Sequence, residues 1–329
     1  MKILLTGGAG FIGSNFIDYW FSKHPQDVIV VLDKLTYAGR MENINHHLKN
    51  KNFKFIKGDI CDAKIVRQAL DGVNIVIHMA AESHNDRSIV GAPPFIQSNF
   101  TGTYVMLEES VAYGKLDKFL MFSTDEVYGD KSSLDEPASL ETDAFKPSSP
   151  YSASKAAADL LAFSYYRTFK LPVIISRANN NYGPRQFPEK FIPRAITNLI
   201  EGKKIPLMGE GKNMRDWIHV DDTSSAVEVL LEKGKIGEAY NISAHNLKTN
   251  KEIANKLLSI FKLTESKGLE IIPHRLGHDF IYNINDAKLR KLGWKPKISF
   301  EQGFESTVSW YKKNKSWWQP LKSSAEKLK

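Results

Sequence analysis

The start of the chain narrows its fold most. "KILLTGGAGFIG" runs a short apolar strand pattern into Gly7-x-x-Gly10-x-x-Gly13, and "SNFIDYWFSKH" continues with apolar residues at helical spacing. Glycines at such a turn let the backbone come close to a pyrophosphate, whose charge then meets the positive end of the helix. A glycine loop alone is also an ordinary strand-to-helix turn, so its surroundings decide. Here Asp33 ends the second apolar run, "DVIVVLDK", about twenty residues beyond Gly13, where a carboxylate can accept both hydroxyls of a ribose and repel a 2′-phosphate. Strand, loop, helix and acid in register imply NAD rather than NADP. By itself, Asp33 also reads as a surface acid at a strand end.

Four more apolar runs, "FKFIKGDI", "NIVIHMAA", "KFLMFSTDE" and "LPVIISRA", alternate with helical patterns such as "AKIVRQALDG", "FIQSNFTGTYVMLEESVAYG" and "SASKAAADLLAFSYYRTF". Alternation of this kind predicts an α/β fold, a Rossmann-type doubly wound parallel sheet with helices on both faces. The rhythm changes near residue 180, where "NNNYGPRQFPEKFIP" and "IPLMGEGKNMRDW" are rich in Pro, Gly and Asn. We expect a dinucleotide-binding domain over 1–179 with a return near 216–243, and a smaller α/β C-terminal substrate lobe from 180–215 and 244–329. "EAYNIS" reads as a strand that can rejoin the first sheet.

Several classes of protein are disfavoured. No stretch reaches the roughly 18 consecutive apolar residues of a membrane span, and glycines interrupt the N-terminus where a signal peptide needs an unbroken apolar run. The single cysteine, Cys61, rules out an internal disulfide and a Cys-cluster metal site, which suits the cytoplasm, and no metal is expected. Net charge is +8, but the basic residues are scattered among acids, with no stripe for nucleic acid. A mild positive balance fits an anionic small molecule.

Two places carry candidate chemistry. "STDEVYG" sets Asp125 and Glu126 at the end of an apolar strand. Neighbours on a strand point to opposite sides, so both acids can face one ligand only if the chain twists there. Two close carboxylates raise each other's proton affinity, which keeps one protonated; an isolated Asp-Glu pair would read as a solvated turn. "SPYSASK" puts Tyr151 and Lys155 on one face of a helix. A phenol titrates near about 10, and a neighbouring ammonium together with a positive nicotinamide would lower that value. The same spacing is common in plain packing. At the cofactor end, "KGDI" offers Asp59, which otherwise reads as a helix cap, and "HMAAES" offers small Ala80 and Ala81.

With these residues in place the chain resembles the extended short-chain dehydrogenase/reductases, and within them the nucleotide-sugar 4,6-dehydratases, whose dTDP-glucose-converting members match best. The likeness runs through "TGGAGFIGSNF", "DKLTYAG", "GDICD", "AAESHNDRSI", "STDEVYG", "SPYSASK", "NNYGPRQFPEKFIP", "RDWIHVDD" and "GWKPKISFEQGF". It implies a lyase that oxidises a hexose at C4, eliminates water across C5 and C6 and returns the hydride to C6, with NAD recycled. Tyr151 resembles the base at the 4-hydroxyl, with Lys155 supporting it. Glu126 resembles the base at C5, Asp125 the acid at the C6 hydroxyl, and Thr124 a hydrogen-bonding partner of the sugar.

The resemblance also implies cofactor contacts from Gly7, Gly10, Phe11, Ile12 and Gly13, from Asp33, Lys34, Leu35 and Thr36, and from Asp59 and Ile60. Met79, Ala80, Ala81, Glu82, Ser83, Ser98 and Asn181 complete that set beside Tyr151 and Lys155. For dTDP-glucose or a related nucleotide sugar it implies Ser83, Thr124, Asn180, Lys190, Phe191, Pro206, Leu207, Met208, Arg215, Asn250, Arg275 and His278. Arg215 and Arg275 would clamp the diphosphate. It implies a homodimer through the helices of "TGTYVMLEESVA" and "SASKAAADLLAF", faces that equally suit a core. Departures from the family pattern fall at Asn85, Asn179, His274, Leu276, Phe280 and Ile281; none is expected to touch the catalytic set, so they put the choice between dTDP and UDP in question more than the chemistry. The alternatives are a UDP-glucose 4,6-dehydratase, an NAD-dependent epimerase or decarboxylase of the same superfamily, and, from another class, a non-catalytic NAD-binding sensor.

Overall fold

Twelve strands organise the described residues of this computed structural model, 1–274 and 276–327. They are β1 (Lys2–Thr6), β2 (Val28–Asp33), β3 (Phe53–Lys57), β4 (Ile75–His78), β5 (Lys118–Thr124), β6 (Val173–Ala178), β7 (Asn180–Tyr182), β8 (Ile205–Met208), β9 (Met214–His219), β10 (Ala239–Ile242), β11 (Leu247–Thr249) and β12 (Leu269–Ile272). Seven form a parallel sheet in the order β10-β6-β5-β4-β1-β2-β3. Its strands read as unbroken apolar runs because helices cover both faces. On β5, Leu120 and Phe122 join the core under helices Phe11–Lys23 and Val220–Lys233, while Phe119 and Met121 join the core under Ala63–Ala69, Gly102–Tyr113 and Pro150–Phe169.

The strand order reverses between β1 and β4, so their carboxyl ends diverge into a crevice, the place where ligands of such sheets bind. Beyond it lie a second sheet, β11-β9-β7, and the parallel pair β12-β8. Helices Phe191–Ile200, Asn250–Phe261 and Phe300–Lys313 close a separate core there around Ile196, Leu257, Phe304 and Tyr311. β10 follows β9 in sequence yet pairs with β6, at the edge of the first sheet.

One predicted helix is interrupted. The pattern "FIQSNFTGTYVMLEESVAYG" reads as continuous, but Ile96–Thr101 forms a π turn between Pro93–Phe95 and Gly102–Tyr113. Asn99 explains part of it: its amide bonds both the N–H and the C=O of Glu82, at 2.8 and 2.9 Å, and the Ser154 hydroxyl at 2.9 Å. Such a turn is a common device for re-aiming side chains near a site.

A buried ion pair fixes the helix Pro150–Phe169 to the sheet. Arg177 on β6 reaches Asp159 at 2.8 Å, with side-chain exposures of 1% and 0%, and donates to the Tyr128 hydroxyl at 2.7 Å. Removing only the arginine leaves a buried carboxylate without its counter-charge, which costs about 3–5 kcal/mol. Arg177→Met is therefore expected to lower unfolding stability by about that amount in urea titration. An unchanged midpoint would show that the pair contributes nothing.

Candidate active site

The glycine loop is built from contacts that exclude side chains. Gly7 has φ +72, and a Cβ there would lie 2.8 Å from the backbone of Ala80; one on Gly13 would lie 2.5 Å from the carbonyl oxygen of Gly7. The loop thus packs against the start of the segment after β4 and leaves the end of helix Phe11–Lys23 open to the crevice. Asp33 stands beside it, its two oxygens accepting the N–H groups of Ala9 at 2.9 Å and Leu35 at 2.8 Å. Burial pushes its carboxyl up, opposed by those two donors. Lys34 pairs with Asp59 at 2.6 Å.

One cavity is lined by Gly7, Gly10, Phe11, Ile12 and Gly13, by Asp33, Lys34 and Thr36, and by Asp59, Ile60, Ser98 and Asn181. Met79, Ala80, Ala81, Glu82 and Ser83 form its wall after β4. Leu35 is not in the lining: it has φ 57, its side chain packs on the core, and its backbone N–H holds Asp33. Within the same cavity the side-chain oxygens of Ser123, Asn179 and Asn180 are buried without a partner (Ser123 Oγ, Asn179 Oδ1, Asn180 Oδ1). Buried polar atoms of this kind cost free energy unless a ligand or water bonds them.

Thr124, Asp125, Glu126, Tyr151 and Lys155 line the other end of that cavity. The twist needed to face two consecutive acids the same way comes from a 3-10 turn, Asp125–Tyr128, which begins as β5 ends. Thr124 stays extended and caps the turn, its hydroxyl accepting the N–H of Glu126 at 3.3 Å. Tyr151 lies in the first turn of helix Pro150–Phe169, whose start is fixed by a reciprocal cap between Ser149 and Ser152.

The electrostatics single out Asp125. Asp125 is 2% exposed, and burial, reinforced by the charge of Glu126, pushes its carboxyl up to about 7; hydrogen bonds from Asn179 and Thr124 and the more distant Arg215 pull the other way. Burial and Glu126 also push the Tyr151 phenol up, against a hydrogen bond with Thr124. Lys155, expected to lower the phenol, bonds the end of β5 here. Its ammonium donates to the Phe122 carbonyl at 2.7 Å, and burial brings it down to about 8, opposed by Asp159.

The nucleotide-sugar candidates divide. Ser83, Asn180 and Lys190 line the cavity, with Lys190 donating to the Ser83 carbonyl at 2.5 Å. Phe191, Pro206, Leu207, Met208, Arg215, Asn250 and His278 do not line it. Phe191 packs near Trp217, Asn250 opens the helix Asn250–Phe261, and His278 meets His274 at 3.2 Å. Arg215 lies over the Tyr282 ring at 4.2 Å and donates to the carbonyls of Met214, Asp279 and Phe280. Arg275 lies outside the described residues.

Two departures from the family pattern prove to touch the acids, which corrects the expectation that none would. Asn179 donates to Asp125 Oδ2 at 2.7 Å, and Asn85 donates to Glu126 Oε2 at 2.6 Å. Tyr282 was not singled out by sequence, yet its hydroxyl lies 3.4 Å from the same Oε2 and donates to Asp279. No local pattern could flag it, since 156 residues separate it from Glu126.

The family described as GDP-mannose 4,6 dehydratase matches residues 4–307. The chain belongs to it. A dTDP-glucose 4,6-dehydratase of Streptomyces niveus is 42% identical over 99% of this chain and 97% of its own. The low-salt glycan biosynthesis protein Agl12 of Haloferax volcanii is 43% identical over 94% and 98%. The crystal structure of DesIV, a dTDP-glucose 4,6-dehydratase from Streptomyces venezuelae with NAD and TYD bound, superposes with a TM-score of 0.94 at 42% identity, covering 98% of this chain and all of that one (100%).

Proposed function

We propose that the chain is a nucleotide-sugar 4,6-dehydratase, a hydro-lyase that converts dTDP-glucose to dTDP-4-keto-6-deoxyglucose with NAD as a recycled cofactor. One observation carries the reading: Asp125, Glu126 and Tyr151 meet in the cavity that the glycine loop opens into. The relatives' names and the bound NAD and TYD of DesIV support the substrate and cofactor classes.

The residues present suit NAD. Side-chain-free contacts at Gly7 and Gly13 keep the loop open for a pyrophosphate, Asp33 lines the same cavity and would accept the ribose hydroxyls, and the unpartnered oxygens of Ser123, Asn179 and Asn180 offer acceptors. When bound, NAD supplies the acceptor for the hydride lost from C4 and the donor for the hydride gained at C6. Tyr151 takes the 4-hydroxyl proton, and Lys155 and Thr124 sit in the same lining to steady the phenolate and the sugar. A 4-keto group acidifies the C5 hydrogen; Glu126 removes that proton, and Asp125 hands its own to the departing C6 oxygen. An acid whose ordinary value lies well below neutrality could not keep its proton at working pH, and burial of Asp125 meets that need.

A pH dependence follows. Water loss needs protonated Asp125, so its rate falls as pH rises through about 7. The Asn179 bond favours the charged form, so Asn179→Ala moves that falling limb to higher pH. Rate profiles of the two proteins test this, and coincident limbs would reject it.

The deciding experiment uses dTDP-glucose carrying deuterium at C4. The label is expected at C6 of the product; its loss to solvent, or no 4-keto-6-deoxy product, rejects the reading. Side-by-side assay on UDP-glucose fixes the nucleotide. A second copy of the chain is the proposed partner, through helices that leave Tyr104 and Leu160 exposed at 45% and 60%. No helix among the described residues is long and apolar enough to cross a membrane.

A further inference from the structure

The side chain of Asn85 joins three parts of the site. It begins the short helix Asn85–Val90 after the cavity wall, and its amide nitrogen donates to Glu126 Oε2 at 2.6 Å. Its carbonyl oxygen accepts the hydroxyl of Ser149 at 2.7 Å. A carboxylate only accepts, and Ser149 supplies a hydroxyl proton, so the orientation of the amide is determined by its neighbours. Ser149 in turn accepts the N–H of Ser152 at 3.1 Å and so caps the helix that carries Tyr151. From the other side, Tyr282 approaches the same Oε2 at 3.4 Å while donating to Asp279, which also accepts from Ser148. The bond from Asn85 falls on the same oxygen of Glu126 that Tyr282 faces.

We infer that Asn85 is a positioning residue for proton removal at C5: it pins Oε2 of Glu126 to the cap of the Tyr151 helix and leaves Oε1 to take the proton. The inference rests on the dehydratase reading of this cavity. In the step concerned, the C5–H bond breaks and its proton passes to Glu126. Its electron pair becomes the C5–C6 double bond as the C6–O bond breaks, and the Asp125 proton leaves with that oxygen as water. A base on a rotatable glutamate gains most from being held, because a misplacement of about 1 Å can cost two orders of magnitude in rate. Oxidation at C4 relies on Tyr151 and does not need this grip.

The test compares Asn85→Val, which removes both bonds, with Asn85→Asp, which keeps the size and the acceptor for Ser149 but loses the donor to Glu126. Each variant is assayed as the holoenzyme beside the unaltered protein. Both are expected to lower kcat by about 10- to 100-fold with KM within about twofold. Absorbance of reduced nicotinamide should build up during turnover, and the isotope effect from C5-deuterated substrate should rise, because removal of the C5 proton becomes limiting. A variant with unchanged kcat overturns the inference, as does one whose loss comes without reduced nicotinamide, which would mark a purely structural role. An unaltered protein that forms no 4-keto-6-deoxy sugar overturns the dehydratase reading instead.

Discussion

Glu126→Gln is expected to leave an enzyme that oxidises its substrate but does not dehydrate it. The substitution preserves shape and keeps an oxygen able to accept from Asn85, which now donates at 2.6 Å, while removing the basic site. General-base catalysis is worth about 10²–10⁴ in rate, and product formation should fall by that amount. Mixing with dTDP-glucose should then trap reduced nicotinamide and a 4-keto hexose that still carries its 6-hydroxyl. Loss of the Glu126 charge also relieves Asp125 and Tyr151, both pushed up partly by it, so the oxidation step is expected to proceed at lower pH than in the unaltered protein. Turnover at the unaltered rate would remove Glu126 from the mechanism.

Tyr151→Phe should produce the opposite pattern. Without the phenol no group in the lining replaces it at the 4-hydroxyl, so oxidation falls by about 10²–10⁴ and no reduced nicotinamide appears on mixing. The ring is 8% exposed and packs edge-on to Phe95 at 6.4 Å, contacts that phenylalanine keeps, so binding and folding should survive. The sign to watch is the absorbance of reduced nicotinamide: raised in Glu126→Gln, absent in Tyr151→Phe. If both variants trap it, Tyr151 does not serve the oxidation.

Much of the first sheet was legible because its strands are short apolar runs bounded by turn residues; β1 to β6 coincide with the runs read from the sequence. The glycine loop and Asp33 were legible because their chemistry depends on residue type and local spacing. The π turn at Ile96–Thr101 was not, since it arises where Asn99 bonds Glu82 and Ser154, contacts that periodicity cannot express. The need for a twist beneath Asp125 and Glu126 could be stated from strand geometry, but the means, a 3-10 turn capped by Thr124, required coordinates. Asn85 and Asn179 are visible in the sequence as departures from the family pattern, but nothing in their local sequence points at a carboxylate 41 or 54 positions away.

The late arrival of β10 bears on how specificity can be exchanged between relatives. Asn241 on this strand accepts the hydroxyl of Tyr128 at 2.8 Å, and Tyr128 ends the turn that begins with Asp125. A chimera spliced once near residue 180 would draw the acid-bearing turn from one parent and its outermost brace from another. Grafting a foreign sugar pocket onto this scaffold therefore calls for two inserts, flanking a retained segment from Val220 to Ile242, rather than one C-terminal replacement.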